Sequence, residues 1–191
     1  MASNAGLMEL LNSKAAAEER ALFGISVEEQ AKGLISMAQS AVQSTPNYVV
    51  QSVRNTFKNP KLAAAVLGNI EHETGGTFDY KQKQYGGGPG RGLFQMEYPP
   101  MMAAYNNFLQ ANKMQDSAEG QIKFINDIVT SDKYYDIGSG NRKKMMEIIN
   151  TGDVKKITEE FSRRVLRPGK PQEDKRIKAA DKWYKTIGGK K

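Results

Sequence analysis

The chain has 191 residues, enough for one well-buried core or for one domain with an arm, and 39% of them are hydrophobic. Cysteine is absent and histidine occurs once, at His72, which excludes a disulfide scaffold, a cysteine nucleophile and a zinc site built on several Cys or His ligands. A formal charge of +7 suits a polyanionic partner (nucleic acid, an acidic membrane surface or an anionic cell wall), or a plainly solvated surface.

In chain order, the opening "MASNAGLMELLNSKAAAEER" has neither the basic start nor the apolar centre of a secretory signal. No run approaches the roughly 20 apolar residues that span a bilayer. "GLMELLNSKAAAEERALF" places Leu7, Leu11, Ala15 and Leu22 near one helical face. "SVEEQAKGLISMAQSAV" opens on Ser26 and Glu29, a capping box, and carries Val27, Leu34, Ile35 and Met37. With Gly24 between them, these two helices form an N-terminal arm over residues 1–45, suited to docking or to packing on the domain at 46–191.

"STPNYVVQSVRNTF" predicts a helix with Pro46 near its start. "NPKLAAAVLGNIEHE" predicts another: Asn59 is a fit N-cap, Pro60 suits the first turn, and Leu62, Val66 and Ile70 make an apolar stripe. Thr74-Gly75-Gly76 ends it. Residues 77–96 lack a helical period and hold a glycine cluster, so they read as an irregular loop or a short β-hairpin. Helices follow at 99–112, 117–131, 142–150, 153–166 and 173–186, and lysine and arginine gather after residue 140. The fold class is therefore mainly α, with one irregular insertion and no internal repeat.

The chemistry gathers at that insertion. A Ser-His-Asp triad would need His72, and no G-x-S-x-G elbow accompanies it, so reactivity falls to carboxylates or lysines. Glu73 ends the Asn59-capped helix, where backbone carbonyls disfavour a second negative charge and apolar neighbours would raise its pKa. A group so placed suits a general acid, as glycosidic bond cleavage requires. Glu71 lies about 200° away around the helix and is assigned to the solvent face. His72 reads as a polar residue bonded to nearby backbone. "YGGGPGRG" lacks the lysine and hydroxyl residue of a phosphate-binding loop and reads as a flexible cleft wall.

Three motifs occur in order: "GNIEHETGG", "GPGRGLFQ" and "FSRRVLRPGKPQEDKRIKAADKWY". Together they resemble the phage tail lysozyme family over about residues 46–187, with kinship in pattern to lytic transglycosylases, goose-type lysozymes and plant-type chitinases. The resemblance implies a lysozyme-like helical domain, with the family's acid on Glu73 and its cleft glutamine on Gln95. Gly90, Gly92 and Leu93 match the loop that delivers the glutamine, and Arg91 among them is a candidate substrate contact. Met96 stands where a tryptophan is usual, and "VLRPG" replaces "YERPG", so the segment around Arg167 is read as structural, with Ile177, Ala179, Ala180 and Trp183 as core.

Asp79 and Glu97 flank the glycine loop, and either is a candidate second carboxylate; without one, the substrate's own N-acetyl group or 6-hydroxyl would serve. Tyr80 and Tyr85 are candidate sugar-stacking side chains. The expected activity is a muramidase cutting the β-1,4 bond between N-acetylmuramic acid and N-acetylglucosamine of peptidoglycan, with no metal or organic cofactor. The chain is expected to be carried in the virion, in the tail or internal core, through the N-terminal arm, and to act in the host periplasm or cell wall. A lytic transglycosylase, a released endolysin and an inactive structural virion protein remain alternatives. A nucleic-acid binder is disfavoured, since no recognition helix or aromatic platform appears.

Overall fold

A computed structural model describes residues 27–43 and 45–188. Eight α-helices are present among these residues, and no strand. The expected first helix, residues 6–23, lies outside them.

The chain divides into two units at residue 42. To the first belongs most of α1 (Val27–Gln43), whose Lys32 and Glu28 pair at 2.8 Å one turn apart. Leu34, Ile35, Met37 and Val42 on this helix are exposed.

The second unit is built around α3 (Pro60–Glu73). Asn59 caps it by accepting hydrogen bonds from the Lys61 and Leu62 nitrogens at 2.9 and 3.2 Å, and Pro60 takes the first turn, where a missing N–H costs nothing. Residues Leu62 to Ile70 are all buried, so the helix is covered on every side, and its stripe of Leu62, Val66 and Ile70 is only part of that contact. Each large aliphatic side chain withdrawn from water there contributes about 1.5–3 kcal/mol.

Around α3 pack α2 (Pro46–Thr56), α7 (Val154–Phe161) and α8 (Glu173–Ile187). The approach of α8 is close because residue 68 is glycine: a Cβ there would lie 2.6 Å from the Ala180 nitrogen. Across the core lie α4 (Pro99–Ala111), α5 (Ala118–Thr130) and α6 (Ser139–Thr151); the first two form an aromatic layer, in which the Phe108 and Tyr105 rings stand 5.6 and 5.2 Å from Phe124. The predicted helix over 153–166 is α7 followed by a π turn at Ser162–Leu166, closed where the Arg167 nitrogen donates to the Ser162 carbonyl. Arg167 itself is left-handed, φ 53°.

Between α3 and α4 the chain is irregular, with only the isolated bridges Lys83–Arg91 and Arg91–Met96. The buried Gln121 of α5 pins this loop. Its oxygen accepts from the Leu93 nitrogen at 2.9 Å, and its amide donates to the Tyr80 carbonyl at 2.9 Å and to Asp116 at 3.0 Å. That side chain fills the space a Cβ on Gly92 would need, at 2.4 Å, which with φ +78° explains the glycine. No helix among the described residues is long and apolar enough to cross a membrane.

Candidate active site

The end of α3 is built to stop there. The Thr74 hydroxyl donates to the Ile70 carbonyl at 2.8 Å and accepts from the Phe78 nitrogen at 3.2 Å, while Gly75 and Gly76 take the positive φ values that reverse the chain. Glu73, the last helical residue, is thereby fixed at the edge of a cleft of about 790 Å³. One wall is the irregular loop, with Gln84, Gln95 and Glu97; the other is the segment from Leu166 to Lys170 with Gln172 and Arg176. Phe94, Met96 and Met101 supply apolar lining.

The Glu73 side chain keeps only 14% of its surface, and its carboxylate accepts a hydrogen bond from Arg176 at 2.8 Å. Arg176 is itself buried, and the rest of its guanidinium is committed to the Asn69 oxygen at 2.9 Å and the Pro171 carbonyl at 2.6 Å. Asn69 in turn donates to the Ala65 carbonyl, one turn back on α3. Burial raises the Glu73 pKa, Arg176 opposes it through its charge and hydrogen bond, and the negative charge of Glu97 raises it again. Burial wins, so the carboxyl holds a proton to higher pH than an ordinary glutamate. His72, also in the cleft, is lowered to about 4 by burial and by the charges of Arg176 and Lys175, and is a neutral imidazole near pH 7.

The other residues predicted from sequence are distributed unevenly. Gln95 lines the cleft, in a left-handed conformation (φ 46°) with its amide nitrogen donating to the Gly92 carbonyl at 2.9 Å. Glu97 lines it too, and is exposed. Asp79 does not: its carboxylate accepts from the Lys81 nitrogen at 2.9 Å and closes a turn. Tyr80 is 5% exposed and Tyr85 70%; neither lines the cleft, and the Tyr85 hydroxyl lies over Gly75. Arg91 also stands outside the lining and donates to the Gly88 and Gly90 carbonyls at 2.8 and 2.7 Å, bracing its own loop.

Two readings need correction. Glu71 is not a solvent-face residue: it is half-buried, and its carboxylate accepts from the Trp183 indole at 2.7 Å. The segment around Arg167 is more than structural, since it forms a wall of the cleft. Ala180 is core as expected, whereas Ile177, Ala179 and Trp183 are only partly buried.

Sequence reasoning missed Arg176 and the tyrosines that do line the cleft, Tyr98 and Tyr135. Tyr135 has its pKa raised by burial, with Arg167 opposing and Tyr98 adding to the rise, so these three side chains share one corner. The signal for Arg176 was its place in the third motif, nine residues after Arg167. Among the described residues no group of three His, Asp or Glu side chains is gathered as a metal ion would require.

A buried carboxyl, a second carboxylate and two tyrosines thus line one groove, a lining suited to a glycan strand. Searches of curated proteins and of solved structures returned no match. A family model described as phage tail lysozyme matches residues 28–187, starting earlier than the motifs indicate and taking in nearly all of α1. The chain therefore belongs to the phage tail lysozyme family.

Proposed function

We propose that this protein is a muramidase that hydrolyses the β-1,4 bond between N-acetylmuramic acid and N-acetylglucosamine in peptidoglycan. The observation that carries the reading is Glu73: a desolvated carboxyl at a helix end, opening on a cleft and touching a buried cation. Burial lets the carboxyl hold its proton to higher pH than an ordinary glutamate, and Glu73 delivers that proton to the glycosidic oxygen as the C1–O bond breaks. The same step leaves a carboxylate, which Arg176 stabilises from 2.8 Å without having to move. Holding the guanidinium on Asn69 and Pro171 fixes its direction, so charge develops against a preorganised partner.

Glu97 shares the cleft, remains exposed and raises the Glu73 pKa, which suits it to take a proton from the water that attacks C1. Tyr98 and Tyr135 offer ring faces to the sugars, replacing Tyr80 and Tyr85 in that role. The substrate needs no organic cofactor or metal in this scheme.

The test is clearing of a peptidoglycan suspension. Glu73→Gln keeps shape and hydrogen bonding but cannot donate the proton, so turnover should fall by at least about a hundredfold. Glu71→Gln, which alters a carboxylate bonded to Trp183, should retain most activity. Substantial clearing by Glu73→Gln, at a rate near that of the unmutated protein, would rule out the assignment.

The proposal extends to delivery: the protein rides in the phage particle and acts on the host wall during entry. In support, α1 leaves Leu34, Ile35, Met37 and Val42 exposed, a surface suited to a neighbouring virion protein. Mass spectrometry of purified particles should find the chain, and its consistent absence would favour a released endolysin.

A further inference from the structure

Three cations line the cleft, and two are occupied. Arg176 is divided among Glu73, Asn69 and Pro171. Arg167 donates to the Arg164 carbonyl at 3.2 Å and to the Ile137 carbonyl at 2.8 Å. Lys170 lies between them in sequence, is exposed and lines the same cleft, and among the described residues its ammonium has no hydrogen-bond or ion-pair partner. From the muramidase reading we infer that Lys170 is a specificity residue, which binds the carboxylate carried by the muramyl side of the substrate.

The first support is electrostatic. Glu73 and Glu97 would repel an anionic substituent, so its placement in this groove needs a cation that is not already neutralised. Arg176 is neutralised by Glu73, and Arg167 keeps its charge but turns Nε and one terminal nitrogen to backbone carbonyls, so among the described lining residues Lys170 is the cation with its whole charged group left for a ligand.

The second support is how the segment bearing Lys170 is held. At its start, Arg167 adopts a left-handed conformation (φ 53°) and anchors to Ile137, beyond α5. At its end, the Pro171 carbonyl accepts from Arg176, and Gln172 is again left-handed (φ 44°). Two non-glycine residues in that region signify a turn held by its surroundings. The guanidinium that fixes Pro171 is the one that holds Glu73, so the place of Lys170 is tied to the place of the acid. A substrate anchored by its carboxylate at Lys170 is thereby set in register with the bond to be cut.

The carboxylate has two sources: the lactyl group of muramic acid, and the peptide stem attached to it. Three substrates distinguish them: glycan strands with stems, strands stripped by an amidase to free lactyl groups, and strands with their carboxyls capped as methylamides. The unmutated protein, Lys170→Met and Lys170→Arg are compared by KM and kcat on each. An exposed ion pair is worth up to about 1 kcal/mol, so KM for the unmutated protein should rise roughly fivefold on the capped strands while kcat stays level. Lys170→Met should show that raised KM on every substrate, with Lys170→Arg restoring the preference, and added salt should erase it.

Retained preference on stripped strands assigns the contact to the lactyl carboxylate, and its loss there assigns it to the stem; both support the subsite. A Lys170→Met protein that still discriminates capped from free strands overturns the inference while leaving the muramidase reading standing. Failure of the unmutated protein to cut any of the three overturns both.

Discussion

Replacing Arg176 by methionine removes one guanidinium and disturbs three partners. The arginine side chain is 2% exposed and the Glu73 side chain 14%, so water cannot take over the lost contacts. Glu73 would be left desolvated without a counter-charge, and the Asn69 oxygen and the Pro171 carbonyl without a donor. Removing one member of a buried pair costs about 3–5 kcal/mol. For a chain of this size each kcal/mol lowers Tm by about 2–4 °C, so the variant should melt roughly 6–20 °C lower.

The loss should depend on pH in a defined direction. Glu73 has a folded-state pKa raised above its unfolded value, chiefly by burial. A group of that kind contributes stability that is fully present below the unfolded pKa and is lost as pH rises through the folded one. Removing the opposing cation deepens that loss, so Arg176→Met should be penalised more at about pH 7 than at about pH 4. Adding Glu73→Gln should recover much of the deficit, because the greater part of the cost is an unpaired charge. Thermal melts of both single variants and the double variant, by circular dichroism at the two pH values, complete the cycle. A double variant no more stable than Arg176→Met, or an Arg176→Met melt that is independent of pH, would refute the reasoning.

Gly68→Ala places a Cβ 2.6 Å from the Ala180 nitrogen, so α3 and α8 must separate; about 1–3 kcal/mol of stability should be lost, together with activity, since the two helices carry Glu73 and Arg176. A variant that melts and clears peptidoglycan like the unmutated protein would show that the close crossing is not needed. Mass spectrometry of digested glycan should find reducing ends, with Glu97→Gln slowing their release by about a hundredfold or more. Ends in the 1,6-anhydro form from the unmutated protein would instead mark a transglycosylase and remove Glu97 from the base role.

What was legible in the sequence was local. Asn59-Pro60 at one end and Thr74-Gly75-Gly76 at the other delimit α3 through capping chemistry that involves residues within four positions of each other, and the helix runs Pro60–Glu73 as those signals require. The start of α6 was less legible because "IGSGN" reads as a turn; Gly138, at φ 93°, makes that turn, with its nitrogen donating to Asp136, and the helix begins directly after it at Ser139.

Glu71 shows where local reasoning stops. Its angular separation from Glu73 follows from helix geometry alone, but that geometry gives a direction without saying what lies there. What lies there is α8, which reaches Glu71 through Trp183 and Glu73 through Arg176, two side chains seven residues apart and so on one face of that helix. Partners separated by more than a hundred positions leave no periodicity to read, so Arg176 looked like one more cation in a basic helix. Its chemistry is set by Gly68, because only a residue without a side chain lets α8 come near enough to bury a guanidinium against the acid. In "GNIEHETGG", the glycine admits α8, the asparagine orients the arginine and Glu73 receives it, so the motif describes half of a site that α8 completes.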